Sequence, residues 1–139
     1  MNNYKYVLLY FVVLFFGCKN KNNLLFKNPS SQETGLLFNN TITATNALNV
    51  LDYLYYYNGG GVALGDINND GLLDVFLSGN QVKNKLFINQ GALKFKDITT
   101  KAKIAGNSSW NTGAVMGDVN GDGYADVIVG AYPYDNGET

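Results

Sequence analysis

Two nine-residue stretches hold most of the acids in this sequence. Asp66-Ile67-Asn68-Asn69-Asp70-Gly71-Leu72-Leu73-Asp74 and Asp118-Val119-Asn120-Gly121-Asp122-Gly123-Tyr124-Ala125-Asp126 both read D-x-N-x-D-G-x-x-D and lie 52 residues apart without a gap. Six of the nine aspartates fall within them. Three carboxylates so close in sequence repel one another unless a cation sits among them. Calcium accepts six to eight oxygen ligands, and a tight turn can present oxygens from alternate positions. The spacing therefore predicts side-chain donors from Asp66, Asn68 and Asp70, a sharp turn at Gly71, the Leu72 carbonyl, and Asp74 closing the loop. The second loop assigns the same roles to Asp118, Asn120, Asp122, Gly123, the Tyr124 carbonyl and Asp126. An oxygen-only donor set points to Ca2+ rather than a soft metal. One such turn is a modest signal, because solvent-facing Asp/Asn/Gly turns share its composition; two aligned copies are a strong one. An EF-hand is disfavoured, since Leu77 and Val129 occupy the twelfth place, where that loop needs a bidentate glutamate.

Other chemistries find little support. The 139 residues include no histidine, and all ten basic residues are lysines. The commonest general base and the bidentate arginine fork are both missing. A net charge of −1 gives no electrostatic reason to expect nucleic acid. Ser78 has no base nearby in sequence to activate it. Outside the loops the acids are scattered (Glu33, Asp52, Asp97, Asp135, Glu138), which gives no pair for polysaccharide hydrolysis. Asn58-Gly59-Gly60-Gly61 lacks the Gly-Lys-Ser/Thr of a phosphate loop and reads as a turn. The sequence predicts no catalytic and no organic-cofactor residues.

The elements that must position the loops are strands. Apolar runs flank each loop: Gly61–Leu64 and Val75–Leu77 in one copy, Gly113–Met116 and Val127–Val129 in the other. Lys85–Asn89 and Leu93–Ile98 alternate apolar and polar residues around an Asn89-Gln90-Gly91 turn. One unit thus offers four strands near 61–66, 73–78, 84–89 and 93–98, and the second copy supplies only the first two. A period near 50 with several short strands per unit suits a propeller blade. The expectation is an all-β partial β-propeller of about one and a half four-stranded blades, preceded by a signal peptide and a polar tether. Tyr53–Tyr57 is expected as an aromatic strand, residues 45–55 as a short helix capped by Thr45, and Trp110 as core or inter-blade packing.

The N-terminus places Lys5 before an apolar run from Val7 to Phe16, then Gly17-Cys18. The run is shorter than the roughly 20 residues a membrane span needs and matches a secretory signal. A cysteine closing such a run resembles a bacterial lipobox, although Phe15 and Phe16 replace the usual small or leucine residues. The expectation is a signal peptide over 1–17, lipidation at Cys18, and a polar tether over 18–33 leading to the folded part at 34–139. Two acyl chains on Cys18 would anchor the chain to a membrane.

The G-D-x-N-x-D-G-x-x-D stretches between short strands resemble the FG-GAP/VCBS repeat, the calcium-binding blade of integrin-α-type β-propellers. The resemblance covers about residues 34–139. The second copy ends Val127-Ile128-Val129-Gly130-Ala131, like the close of an FG-GAP motif, but Tyr132-Pro133 departs from the family's usual Gly-Ala-Pro. With the lipobox-like start, the chain looks like the N-terminal part of exported bacterial lipoproteins that carry such repeats, often alongside an ASPIC/UnbV domain. The resemblance implies a binding, adhesion or structural module on the bacterial outer membrane or cell surface, with an extracellular protein or glycan as ligand. The alternative is the N-terminal part of an extracellular enzyme acting on polysaccharide, with catalysis located beyond residue 139.

Overall fold

The computed structural model describes residues 25–107 and 110–131. The expected signal peptide, Cys18 and the first part of the tether lie outside them. The described chain starts with a short helix, α1 (Ser31–Thr34), and continues through β1 (Val62–Gly65), β2 (Asp74–Leu77), β3 (Lys85–Asn89) and β4 (Phe95–Asp97). A second short helix, α2 (Thr99–Ala102), leads to β5 (Asn111–Gly117) and β6 (Asp126–Ala131). Strands β1 to β4 form one antiparallel sheet in chain order, and β5 pairs with β6 in a second sheet. The fold is all-β, and its two antiparallel sheets correspond to one four-stranded blade and the first hairpin of the next. All four strands expected in the first unit are present, each within about two residues of its predicted bounds.

Strand alternation explains how the sheets meet. Ala63, Phe76 and Leu86 lie directly across from one another on β1, β2 and β3, so their side chains share one face. All three are buried. Ala114, Met116, Val127 and Val129 of the second sheet pack on them, joined by Ile67, Ile98 and Ile104. Full burial of Phe76 or Leu86 contributes about 2–3 kcal/mol each. The inner strands approach closely: a Cβ on Gly61 would stand 2.5 Å from the Ala114 nitrogen, and one on Gly60 would stand 1.9 Å from the Ser78 carbonyl oxygen. The Asn58–Gly61 stretch, expected as a turn, is a bend at Asn58 followed by an irregular connection into β1. Of its three glycines, Gly59 takes a left-handed backbone (φ 78°), while Gly60 and Gly61 leave room for neighbouring backbone.

A second cluster sits at the opposite end of the sheets from the aspartate loops. Trp110 packs edge-on against Tyr53 (ring centroids 5.6 Å apart) and tilted against Tyr56 (5.1 Å), and all three are buried. Trp110 is therefore a core residue, one of the two roles expected of it, packed on the segment that precedes β1. The aromatic strand over Tyr53–Tyr57 is not formed. Tyr53, Tyr56 and Asn58 donate their amides to Asn49, Tyr53 and Tyr55, three or four residues back, so the segment is a run of turns. The residues then follow turn spacing: Tyr53 and Tyr56 face Trp110, while Tyr55 and Tyr57 are exposed. The helix expected over 45–55 is likewise absent. Thr45 Oγ1 does accept the Leu48 amide at 3.0 Å, but the next residues form bends and a turn closed by the Tyr53 amide on the Asn49 carbonyl, without continuing as a helix.

Beside these rings, asparagines tie the two sheets together. The buried Asn80 side chain donates to the carbonyls of Gly59 (3.2 Å) and Asn111 (2.9 Å) and accepts from Asn40 (2.6 Å). Asn111 donates to the Gly79 carbonyl and to Asn84 Oδ1. Four segments meet there, and buried amides placed this way are satisfied rather than costly. On the other side of the first sheet, Ser30 and Glu33 form a reciprocal cap on α1, and Lys94 Nζ reaches the Glu33 carbonyl. The end of the expected tether is thus laid against the β3–β4 turn.

Candidate functional site

The two aspartate loops connect β1 to β2 and β5 to β6, so each closes a hairpin at the same end of its sheet. In the first loop, the Asp70 amide donates to both Asp66 Oδ1 (3.0 Å) and Asn68 Oδ1 (3.1 Å). Gly71 donates to Asp66 Oδ2 (2.7 Å), and Leu72 to Asp70 Oδ1 (2.8 Å). Asn68 Nδ2 donates to Asp70 Oδ2 (2.9 Å). Ile67 donates its amide to Asp74 Oδ2 (3.0 Å). Short polar side chains bonding to nearby backbone in this way are what fold the turn.

The second loop repeats all six bonds. Asp122 donates to Asp118 Oδ1 (3.2 Å) and Asn120 Oδ1 (2.8 Å), and Gly123 to Asp118 Oδ2 (2.8 Å). Tyr124 donates to Asp122 Oδ1 (2.9 Å), Asn120 Nδ2 to Asp122 Oδ2 (3.0 Å), and Val119 to Asp126 Oδ2 (3.1 Å). The glycines at the sixth place adopt φ 84° and 85°, a left-handed backbone that other residues rarely take. The sequence repeat is therefore a repeat of geometry: the six bonds recur, and the second loop adds one more, from the Gly121 amide to Asp118 Oδ1 at 2.7 Å.

The ninth-place aspartates differ in setting. Asp74 is fully buried and accepts a further bond from the Asn89 amide (2.8 Å) at the end of β3. Asn89 Nδ2 also reaches the Leu73 carbonyl (2.9 Å). Asp126 is half-buried and has no third strand beside it among the described residues. Asp118 is held below the usual carboxylate range: the Gly123 amide contributes most, burial opposes it, and the amides of Gly121, Asp122 and Asn120 add to the lowering.

The donor chemistry fits a hard cation. The first- and third-place oxygens in each loop meet on one amide hydrogen, which brings them together. The Asp66 and Asp70 oxygens each accept one N–H and keep a lone pair, whereas Asp118 Oδ1 accepts two, from Gly121 and Asp122. The carboxylates lean on their own loop amides rather than on each other. Among the described residues, no three acidic, histidine or cysteine side chains converge as a ready cluster. Leu72 and Tyr124 are exposed; their amides bond to the fifth-place carboxylates. Cys18, the expected lipidation site, lies outside the described residues.

Residues 66–129 match the FG-GAP-like repeat. The matched stretch begins at the first aspartate of one loop and contains the whole of the other, so the repeat is the part of the chain built around the two turns. The chain is also 28% identical over 104 residues to cartilage acidic protein 1 of Xenopus tropicalis, which covers 75% of this chain. It spans about 15% of that relative's length. No solved structure matches the chain.

One contact of this site has no counterpart in the residue-by-residue reading of either loop. Asn69, at the fourth place of the first loop, donates Nδ2 to the Gly123 carbonyl of the second at 3.0 Å. The only signal available beforehand was the asymmetry at that place, Asn69 in one copy and Gly121 in the other.

Proposed function

We propose that the chain is a calcium-stapled repeat module of an exported, lipid-anchored bacterial surface protein, serving binding or adhesion rather than catalysis. The observation that carries this reading is the sixfold hydrogen-bond pattern repeated in both loops, which gathers oxygen donors at the first, third and fifth places. Asp66, Asn68, Asp70 and Asp74 would hold one ion, with Asp118, Asn120, Asp122 and Asp126 holding the other and the Leu72 and Tyr124 carbonyls completing the sets. Bound calcium supplies positive charge that offsets the repulsion among three carboxylates and so stiffens each hairpin. Its role in this reading is rigidity.

The non-catalytic part of the proposal rests on how the remaining acids among the described residues are used. Glu33 caps α1, Asp52 accepts from Asn49, and Asp97 pairs with Lys85. An extracellular protein or glycan is the ligand class that suits an exported repeat module. Its membrane attachment would be through Cys18.

Calorimetric titration of the full chain with Ca2+, after EGTA treatment, tests the calcium reading. Two ions per chain and a melting temperature that rises with Ca2+ are expected. The absence of both binding heat and a melting shift at millimolar Ca2+ would refute it. Labelling of the intact protein with a fatty-acid analogue in a bacterial host, lost on Cys18→Ser, tests the anchor.

A further inference from the structure

The two loops are linked through a single peptide unit. The carbonyl of Gly123 accepts from Asn69 at 3.0 Å, and the N–H at the other end of the same peptide, on Tyr124, donates to Asp122 Oδ1 at 2.9 Å. Gly123 also gives its own amide to Asp118 Oδ2 at 2.8 Å. Two oxygen donors of the second loop thus fix the orientation of the peptide that Asn69 grips. On the other side, Asn69 stands between Asn68 and Asp70, two donors of the first loop, with its backbone in the left-handed region at φ 58°. The corresponding place in the second loop is Gly121, which has no side chain. The link therefore comes from the first loop alone.

We infer that Asn69 couples the two loops, so that an ion held in one raises the affinity of the other. The inference rests on the calcium reading above. When Asp118 and Asp122 settle around an ion, the Gly123–Tyr124 peptide loses freedom. Through Asn69, the Asn68–Asp70 stretch then has less freedom left to lose when the first loop closes, which is positive coupling without a change of fold. Linkage makes the effect reciprocal. One neutral hydrogen bond at an exposed contact sets its scale at roughly threefold to tenfold in affinity.

The test is a double-mutant cycle read by calorimetric Ca2+ titration of the full chain. Asp118→Asn with Asp122→Asn disables the second loop. Asn69→Gly removes the link while suiting the left-handed backbone, as Gly121 does in the other copy. Disabling the second loop should weaken binding at the first loop about threefold to tenfold when Asn69 is present, and leave it unchanged when Asn69→Gly is also present. Exchange of the Tyr124 amide in Ca2+ should be faster in Asn69→Gly than in wild type, a readout independent of affinity. Equal weakening in both backgrounds, or none in either, overturns the coupling while two bound ions in the wild type leave the calcium reading standing. A wild type that binds no Ca2+ overturns both.

Discussion

Removal of the Asp74 carboxylate should cost far more than removal of its counterpart Asp126, although the two occupy the same place in the repeat. Asp74 is fully buried and accepts two backbone amides, from Ile67 at 3.0 Å and Asn89 at 2.8 Å. Hydrogen bonds to a charged acceptor are worth about 1.5–3 kcal/mol each. Ile67 and Asn89 are only half-buried, so water recovers part of the loss, and the net cost of Asp74→Ala comes to about 3 kcal/mol. Asp126 is half-buried and accepts one amide, from Val119 at 3.1 Å, and Asp126→Ala should cost about 1 kcal/mol. Asp74→Asn keeps one acceptor oxygen but turns an NH2 toward the other amide, so it should fall between wild type and Asp74→Ala. The assay is urea denaturation in EGTA, followed by the fluorescence of Trp110, the one tryptophan in the chain. With a urea slope of about 1.5 kcal/mol per molar, the midpoint should drop by about 2 M for Asp74→Ala and by less than about 1 M for Asp126→Ala. Equal shifts for the two alanine variants would refute the reasoning, because burial and the second amide would then have no effect.

Gly61→Ala should destabilise the chain by about 3 kcal/mol or more, because its Cβ meets backbone that cannot swing aside, whereas Gly113→Ala, whose Cβ meets nothing within 4 Å, should stay within about 0.5 kcal/mol of wild type. Thermal melts of the two variants check this, and equal losses would show that the close approach of β1 to β5 is not needed. Asp97 predicts an acid-side loss of stability. Burial raises its pKa, but the Lys85 ammonium at 2.6 Å and the Thr99 hydroxyl and amide outweigh burial and lower it from 3.8. A depressed folded value means that the contribution is present above the unfolded pKa and is lost as pH falls through the folded one. The pair is more than a third exposed, so the contribution should stay below about 1 kcal/mol. Asp97→Asn should flatten that part of a stability profile measured from about pH 6 to about pH 2, and an unchanged slope would count against it.

Much of this fold is legible in the sequence because it is local. The loop bonds join residues two to seven places apart, so composition and spacing alone specify them. The strands follow from alternation over three to seven residues. What escaped depends on distant partners. Tyr53–Tyr57 has strand-like composition, yet Trp110, more than fifty residues on, draws Tyr53 and Tyr56 to one side and selects turns. Asn80, Asn84 and Asn111 look like ordinary loop residues in sequence. Only the meeting of β2, β3 and β5 makes them a buried network, and no spacing within any one segment reports it. Asp74 and Asp126 are identical in the repeat and differ because, among the described residues, a third strand stands beside only one of them.

That last difference separates what the loop sequence decides from what the sheet decides. In both copies the same five bonds form at the first, third and fifth places, with or without β3 and β4 alongside, and the second copy adds the Gly121 amide on Asp118. The geometry of those oxygens is therefore intrinsic to the D-x-N-x-D-G turn. The ninth place is where the turn is fastened to the sheet, through one amide in the β5–β6 hairpin and through two in the four-stranded unit. An ion drawn to the first three donors would thus find its remaining carboxylate rigidly held in the first loop and more loosely held in the second. Asn69 reaches from the firmer loop to the looser one, onto the peptide beside Asp122. In the proposed coupling, the second loop would get from the first some of the restraint that the two strands described beside it do not supply.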